Sequence, residues 1–226
     1  NTLIISVSKL VWSFPVPIIF AILLSEIKSV KFQKVIQTVV YLPHFLSWVV
    51  VSGLFVSLLN STGLVNQFLN LLGFESVKFL MSNETFRGVL IVTEIWKGFG
   101  WGSIIYFAAI AGLDQECFEA AMVDGANRFQ KIWHVTIPGL LPTVIMMLII
   151  SVGGIMSAGF DQVFTMYNPL VYETADIIDT YVYRLGLGSL DFSTGTAVGL
   201  FNSVIGLILT LAINKLSRKF TGMGIW

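Results

Sequence analysis

Apolar positions run along this chain in long uninterrupted blocks, and the charges between the blocks set the element boundaries. No Asp, Glu, Lys or Arg lies between Lys34 and Glu75, between Lys131 and Asp161, or between Asp191 and Lys215. A helix needs about 20 apolar residues to cross the roughly 30 Å hydrocarbon core of a bilayer. The gaps therefore predict spans near 39–59, 140–160 and 194–214. A fourth span is predicted at about 89–112, tolerating Glu94 and Lys97. A fifth is predicted at about 3–24, with Lys9 inside it and Pro15 and Pro17 as kinks. Segments such as SWVVVSGLFVSLL and LPTVIMMLIISVGGIM are apolar on every face, whereas a barrel strand alternates over about ten residues. The fold class is all-α and integral to the membrane. No linker, repeat or composition shift divides residues 1–226, so a single membrane domain is expected.

Composition narrows the function. Of 226 residues, 55% are hydrophobic and 12% charged, about half the charged share of a soluble domain. Thirteen basic and 13 acidic residues cancel, which leaves no electrostatic footprint for nucleic acid. Cys117 is the single cysteine, so no disulfide framework is expected, and His44 and His134 have no second ligand nearby for a metal. No nucleophile is paired with a base as a membrane enzyme would require.

Loop charges set the orientation. Lys28, Lys31, Lys34, Arg128, Lys131, Lys215, Arg218 and Lys219 fall on one side; only Lys78, Arg87 and Arg184 fall on the other. The positive-inside rule makes the richer side cytoplasmic, with the C-terminus and Gly125 and Gly222 inside and Asn1 and Gly63 outside. A first span cut off upstream of Asn1 is the simplest reading of that arrangement. Residues 26–38 fit either an amphipathic interfacial helix or a plain turn.

The segment DQECFEAAMVDGANRFQKIWHVTIPGLLP (114–142) carries the densest local signals. Asp114 suits a helix N-cap with Glu116 in the first turn. Gly125 stands where a left-handed residue ends that helix. Asn127 and Gln130 have capping-box spacing for a second helix, and Pro138 and Pro142 mark the return to the membrane. Local physics predicts a compact helix–turn–helix, which implies an interaction surface.

Glu119-Ala120-Ala121, then Asp124-Gly125-Ala126, then Ile137-Pro138 resemble the EAA loop of binding-protein-dependent ABC importer permeases. Ile137 stands where leucine is common. YLPHFLSWVVVSG (41–53), WKGFGWGSIIYFAAIAGLD (96–114) and YNPLVYETADIIDTYVYRLGL (167–187) extend the likeness toward the LplB-like polysaccharide branch of the carbohydrate-uptake type. The resemblance implies a type I importer permease bundle with five spans present of an expected six, in a bacterial plasma membrane. It also implies a second homologous permease, two ATPase subunits, an extracellular lipoprotein solute-binding protein and a sugar substrate. Glu119, Ala120, Ala121, Asp124, Gly125, Ala126, Phe129, Ile137 and Pro138 would form the ATPase-coupling loop within 114–138. No phosphate-cradling G-x-x-x-x-G-K-[ST] occurs, so this chain is expected to carry no cofactor, with ATP and Mg on the partner ATPase.

Glu94, Lys97 and Trp101 fall on one helical face at i, i+3 and i+7. Charges inside a span face a cavity or each other, so Glu94, Trp96, Lys97, Trp101 and Asn202 are candidates for a substrate path. The structural alternatives are an internal ion pair, a snorkelling Glu94, and an interhelical hydrogen bond from Asn202. A rival function is an ion-coupled secondary transporter in which Glu94 and Lys97 form a relay and 114–138 is a mere connector. Gly98 and Gly102, like Gly195 and Gly199, have the small-residue spacing of close helix contacts.

Overall fold

The computed structural model describes residues 1–221; Gly222 lies outside the described residues. Every regular element among them is helical. Helix α1 (Thr2–Ser13) runs into α2 (Pro15–Ser25) through Phe14, which keeps helical dihedrals of φ −66° and ψ −41°. Pro15 and Pro17 have no N–H for the carbonyls of Val11 and Ser13, so the hydrogen-bond ladder is interrupted while the rod continues. Helix α3 (Val30–Tyr41) starts at Ser29, which accepts from the Phe32 N–H at 3.4 Å. It leaves Val30, Phe32, Val35 and Val39 exposed beside Lys31 and Lys34, the face of an interfacial helix.

Residues 39–59, expected as one helix, are two. A 3₁₀ turn over Leu42–Phe45 and an extended Leu46 (ψ 139°) follow α3. Helix α4 (Trp48–Leu59) then starts afresh, with Ser47 accepting from the Val50 N–H at 3.3 Å. Pro43 cannot donate to a continuing ladder and Ser47 offers a cap, which places the break. The 12 residues of α4 rise about 18 Å, and a turn then leads into α5 (Leu64–Leu71). Helix α6 (Phe86–Ala111) is unbroken over 26 residues. After it come α7 (Gln115–Val123), the single turn α8 (Arg128–Lys131) and α9 (Ile137–Gly153).

The helix expected over 140–160 stops at Gly153. Gly154, a 3₁₀ turn over Ile155–Ser157, and left-handed Ala158 and Gly159 (φ 50° and 75°) separate it from α10 (Phe160–Met166). Two adjacent glycines lower the helical preference there by about 1 kcal/mol each against alanine. Short helices α11 (Tyr172–Ala175) and α12 (Ile178–Tyr183) lead through a π turn at Arg184–Gly188 to α13 (Phe192–Thr221), 30 residues long.

Helix α6 is the central rod, contacted by α1, α2, α3 and α9, while α13 lies against α9 and α12, and α10 against α4. A Cβ on Gly100 would sit 2.2 Å from the Val40 carbonyl oxygen, so α3 meets α6 backbone to backbone. Of the spaced pair, Gly102 approaches Pro17 at 3.2 Å and Gly98 faces open space. The main core gathers where α6 begins, around Phe86, Leu90, Val163, Val171 and Ala175, all fully buried. Elsewhere long apolar side chains stay exposed, including Val49, Leu200, Phe201 and Leu207, a belt far beyond what a water-facing surface tolerates. Among the described residues four segments are long and apolar enough to cross a membrane: Thr2–Ser25, Trp48–Leu71, Arg128–Gly153 and Phe192–Lys219. Helix α6 has comparable length but carries Arg87, Glu94 and Lys97.

Gly100→Ala should lower the thermal midpoint of the detergent-purified protein through overpacking of about 1–3 kcal/mol, whereas Gly98→Ala should not; equal midpoints would contradict the backbone contact. For orientation, Gly63 has no room for a side chain, its Cβ falling 2.3 Å from the Leu58 carbonyl oxygen, so exposed Ser61 is the better reporter. Ser61→Cys in a Cys117→Ser background should react with an impermeant thiol reagent in intact cells. Native Cys117, exposed on α7, should react only once the membrane is opened. The opposite pattern would invert the topology.

Candidate functional site

The loop after α6 is built almost entirely from its own hydrogen bonds. Asp114 accepts from the Glu116 N–H at 2.9 Å and starts α7, with the Glu116 carboxylate in the first turn. At the other end Gly125 is left-handed (φ 76°), the Gly125 N–H donates to the Met122 carbonyl at 3.1 Å, and the Ala126 N–H donates to Ala121 at 2.9 Å. That is the paired closure of a Schellman motif, and it takes up carbonyls a helix end leaves free. Asn127 and Gln130 then form the reciprocal capping box, 3.0 Å one way and 2.7 Å the other. Helix α8 passes through a π turn at Ile132–Thr136, where the Ile137 N–H reaches back to Ile132, and runs directly into α9. Widening the ladder there relieves Pro138, which has no N–H and whose ring crowds the His134 carbonyl.

The loop residues singled out in the sequence are mostly on its surface. Glu119, Ala120, Asp124, Gly125, Phe129 and Pro138 are exposed; Ala121, Ala126 and Ile137 are half-buried. Val123, Phe129 and Trp133 are 88%, 83% and 70% exposed, so the loop presents apolar side chains that the described residues leave uncovered.

A cavity of about 890 Å³ opens between α1, α2, α6 and α9 and reaches the Gly154–Gly159 joint. Glu94 and Trp101 line it, as do Lys9, Tyr106 and Ser151. Trp96 does not: it packs edge-on against Phe55 with centroids 5.3 Å apart. Lys97 also turns away, donating to the His44 carbonyl at 3.0 Å with its ammonium 5.3 Å from the Trp48 ring centroid. The i, i+3 pair expected between Glu94 and Lys97 is replaced by one between Glu94 and Lys9, 3.7 Å apart. A Glu94–Lys97 relay has no geometry here, because the helical sweep from 94 to 97 carries the two side chains to different neighbours. Trp101 stacks flat on the His44 ring at 4.5 Å, 2° from parallel, and keeps 44% of its surface exposed. Asn202 is buried away from the cavity and donates to Asp179 at 3.0 Å and to the Met156 carbonyl at 3.4 Å, the interhelical bond.

Sequence reasoning noted Lys9 inside the first span without giving it a role, and passed over Gln162 and Gly159. The Lys9 ammonium donates to the Ala158 carbonyl at 2.8 Å and to the Gln162 amide oxygen. Gln162, fully buried, donates in turn to the Leu90 carbonyl and the Thr93 hydroxyl, both at 2.7 Å. A lone lysine within an otherwise apolar span is the signal that points to such a cluster.

At the far end Arg184 grips Asp176 with two hydrogen bonds of 2.7 and 2.6 Å and lies 4.8 Å from the Tyr172 ring centroid. Burial alone would raise the Asp176 carboxyl; the bonds from Arg184 and Thr180 outweigh it and hold the group below its ordinary value.

An all-helical bundle with an apolar belt, a partly polar cavity and a self-braced loop is the architecture of a membrane permease. The chain belongs to the family described as "Binding-protein-dependent transport system inner membrane component", whose model matches residues 3–222. It is therefore a membrane transport component and not an enzyme. Protein LplB of Bacillus subtilis (strain 168) is 43% identical over all of this chain and 71% of its own length. The polygalacturonan/rhamnogalacturonan transport system permease protein YteP of the same organism is 42% identical with the same coverage. A chain in the crystal structure of a bacterial ABC transporter involved in the import of the acidic polysaccharide alginate is 44% identical. It superposes with a TM-score of 0.94 over 98% of this chain and 78% of that one. A chain in a second crystal structure, of a bacterial alginate ABC transporter in complex with an alginate pentasaccharide-bound periplasmic protein, superposes with a TM-score of 0.95 over 100% of this chain and 78% of that one.

A carboxyl held below its unfolded value stabilises the fold above that value and loses the contribution as pH falls through the folded one. Asp176→Asn should thus lower the thermal midpoint at neutral pH, and the deficit should shrink as the pH is taken below 3.8. A deficit that persists in acid would show that the Asp176–Arg184 pair is not its source.

Proposed function

We propose that this chain is the translocating subunit of an ATP-driven importer for an oligosaccharide or related sugar handed over by an extracellular lipoprotein. A second homologous permease completes the cavity, and two ATPase subunits, which hold ATP and Mg, dock on the α7–α8 loop. In this reading α6 is a fifth crossing, the C-terminus and the loop are cytoplasmic, and the Asp176–Arg184 end faces outward. The observation that carries the proposal is the loop itself. Its two helix ends are closed by local bonds, its apolar surface is uncovered, and it continues without a break into α9. A push on such a unit moves a helix, whereas a slack connector would absorb it. The likeness to a polygalacturonan/rhamnogalacturonan permease and to an alginate importer supports a saccharide cargo. Within the cavity the Trp101 ring can stack on a sugar face and Glu94 can accept hydroxyl hydrogens.

A side chain at Gly125 meets nothing within 4 Å, so Gly125→Val acts only through its left-handed backbone, strained by about 1–2 kcal/mol. Glu119→Lys reverses the charge on the exposed surface without touching the fold. Both should reduce uptake and sugar-stimulated ATP hydrolysis of the purified complex at least about tenfold, while the binding protein still captures sugar. Lys28→Ala, outside the loop, should change neither. Normal hydrolysis and uptake in both loop variants would reduce 114–138 to a connector.

A further inference from the structure

The Lys9 ammonium, the Gln162 amide and the Glu94 carboxylate converge on one backbone position, Gly159. A Cβ there would lie 2.6 Å from Lys9 Nζ, 3.6 Å from Gln162 Oε1 and 3.9 Å from Glu94 Oε2. Its φ of 75° also excludes ordinary side chains without strain. The joint between α9 and α10 is therefore pressed against the ammonium, which holds it through the Ala158 carbonyl and Gln162. On its other side the same ammonium faces Glu94, whose side chain keeps 36% of its surface exposed while that of Lys9 keeps 10%. The Glu94–Lys9 separation of 3.7 Å is an ion pair without a hydrogen bond, so a ligand that engages Glu94 changes what Lys9 is paired with. The other end of α9 is the loop: its 17 residues make a rod of about 26 Å between Ile137 and the joint.

We propose that Lys9 is the positioning residue through which sugar occupancy at Glu94 is passed to the α9–α10 joint, and so to the loop that receives the ATPase. This rests on the importer reading above. Gln162 fixes the joint to α6 through Leu90 and Thr93, so the Lys9 contact is the part free to respond. Gly159 is required because any larger residue would displace the ammonium.

The test is a double-mutant cycle on the complete complex, reconstituted with its binding protein and offered polygalacturonan, rhamnogalacturonan and alginate oligosaccharides in turn. Lys9→Met removes the ammonium but keeps an apolar stem. It should cut the ratio of sugar-stimulated to basal ATP hydrolysis about tenfold, with assembly and the basal rate within about twofold of the unsubstituted complex. Gly159→Ala should do the same, and the double variant should lose no more than either single one, since both act on one contact. An unchanged ratio in Lys9→Met would overturn the proposal, as would additive losses or a fall in basal and stimulated rates together with the thermal midpoint, the mark of a purely structural lysine. If the unsubstituted complex responds to no saccharide, the importer reading fails instead.

Discussion

Away from water, a backbone carbonyl that leaves a helix needs another donor, because lipid supplies none. At two of the places where this chain leaves its α-helices, Leu42–Ser47 and Gly154–Gly159, a lysine donates to a carbonyl. Lys97 reaches His44 and Lys9 reaches Ala158. The two cations that interrupt the predicted spans are thus explained together: each tethers a helix to a non-helical segment of another. The cost of an intramembrane ammonium, a few kcal/mol, is offset by bonds to groups that would otherwise be orphaned at comparable cost.

The same requirement shows why the loop was legible in the sequence and the cavity was not. Every determinant of the loop is local: Asp114 caps two residues on, the Gly125 and Ala126 N–H groups close on Met122 and Ala121, and Asn127 pairs with Gln130. Spacing alone encodes such contacts. The determinants of the cavity are distant, with Lys9 and Ala158 separated by 149 positions and Lys97 and His44 by 53. Periodicity put Glu94 and Lys97 on one face and suggested that they meet, but each had a better partner elsewhere in the fold. Small-residue spacing likewise pointed at Gly98 and Gly102, while the closest approach is made by Gly100, which belongs to no pattern and is required only because Val40 lies against it. The spans near 39–59 and 140–160 were drawn across helix breaks because hydropathy records whether a segment is apolar and not whether its ladder is continuous. Pro43 and the Gly153–Gly154 pair were the local warnings.

These two kinds of determinant divide the labour along α9. The loop at its lower end is closed by bonds within residues 114–130 and borrows none of them from the rest of the bundle. Its upper end is a joint that keeps only a 3₁₀ turn over Ile155–Ser157 in place of the α-helical ladder, and Lys9 of α1 holds it from outside through the Ala158 carbonyl and Gln162. A rod that is rigid at the loop and hinged at the cavity turns a push at one end into a change of angle at the other. A continuous helix from Ile137 to Met166 would instead carry the push straight through as translation. The left-handed pair Ala158–Gly159 is what prevents that continuity. Lys9 supplies a donor to one carbonyl that the joint frees from the ladder, and its position on the cavity wall beside Glu94 puts that donor next to the group a ligand would engage.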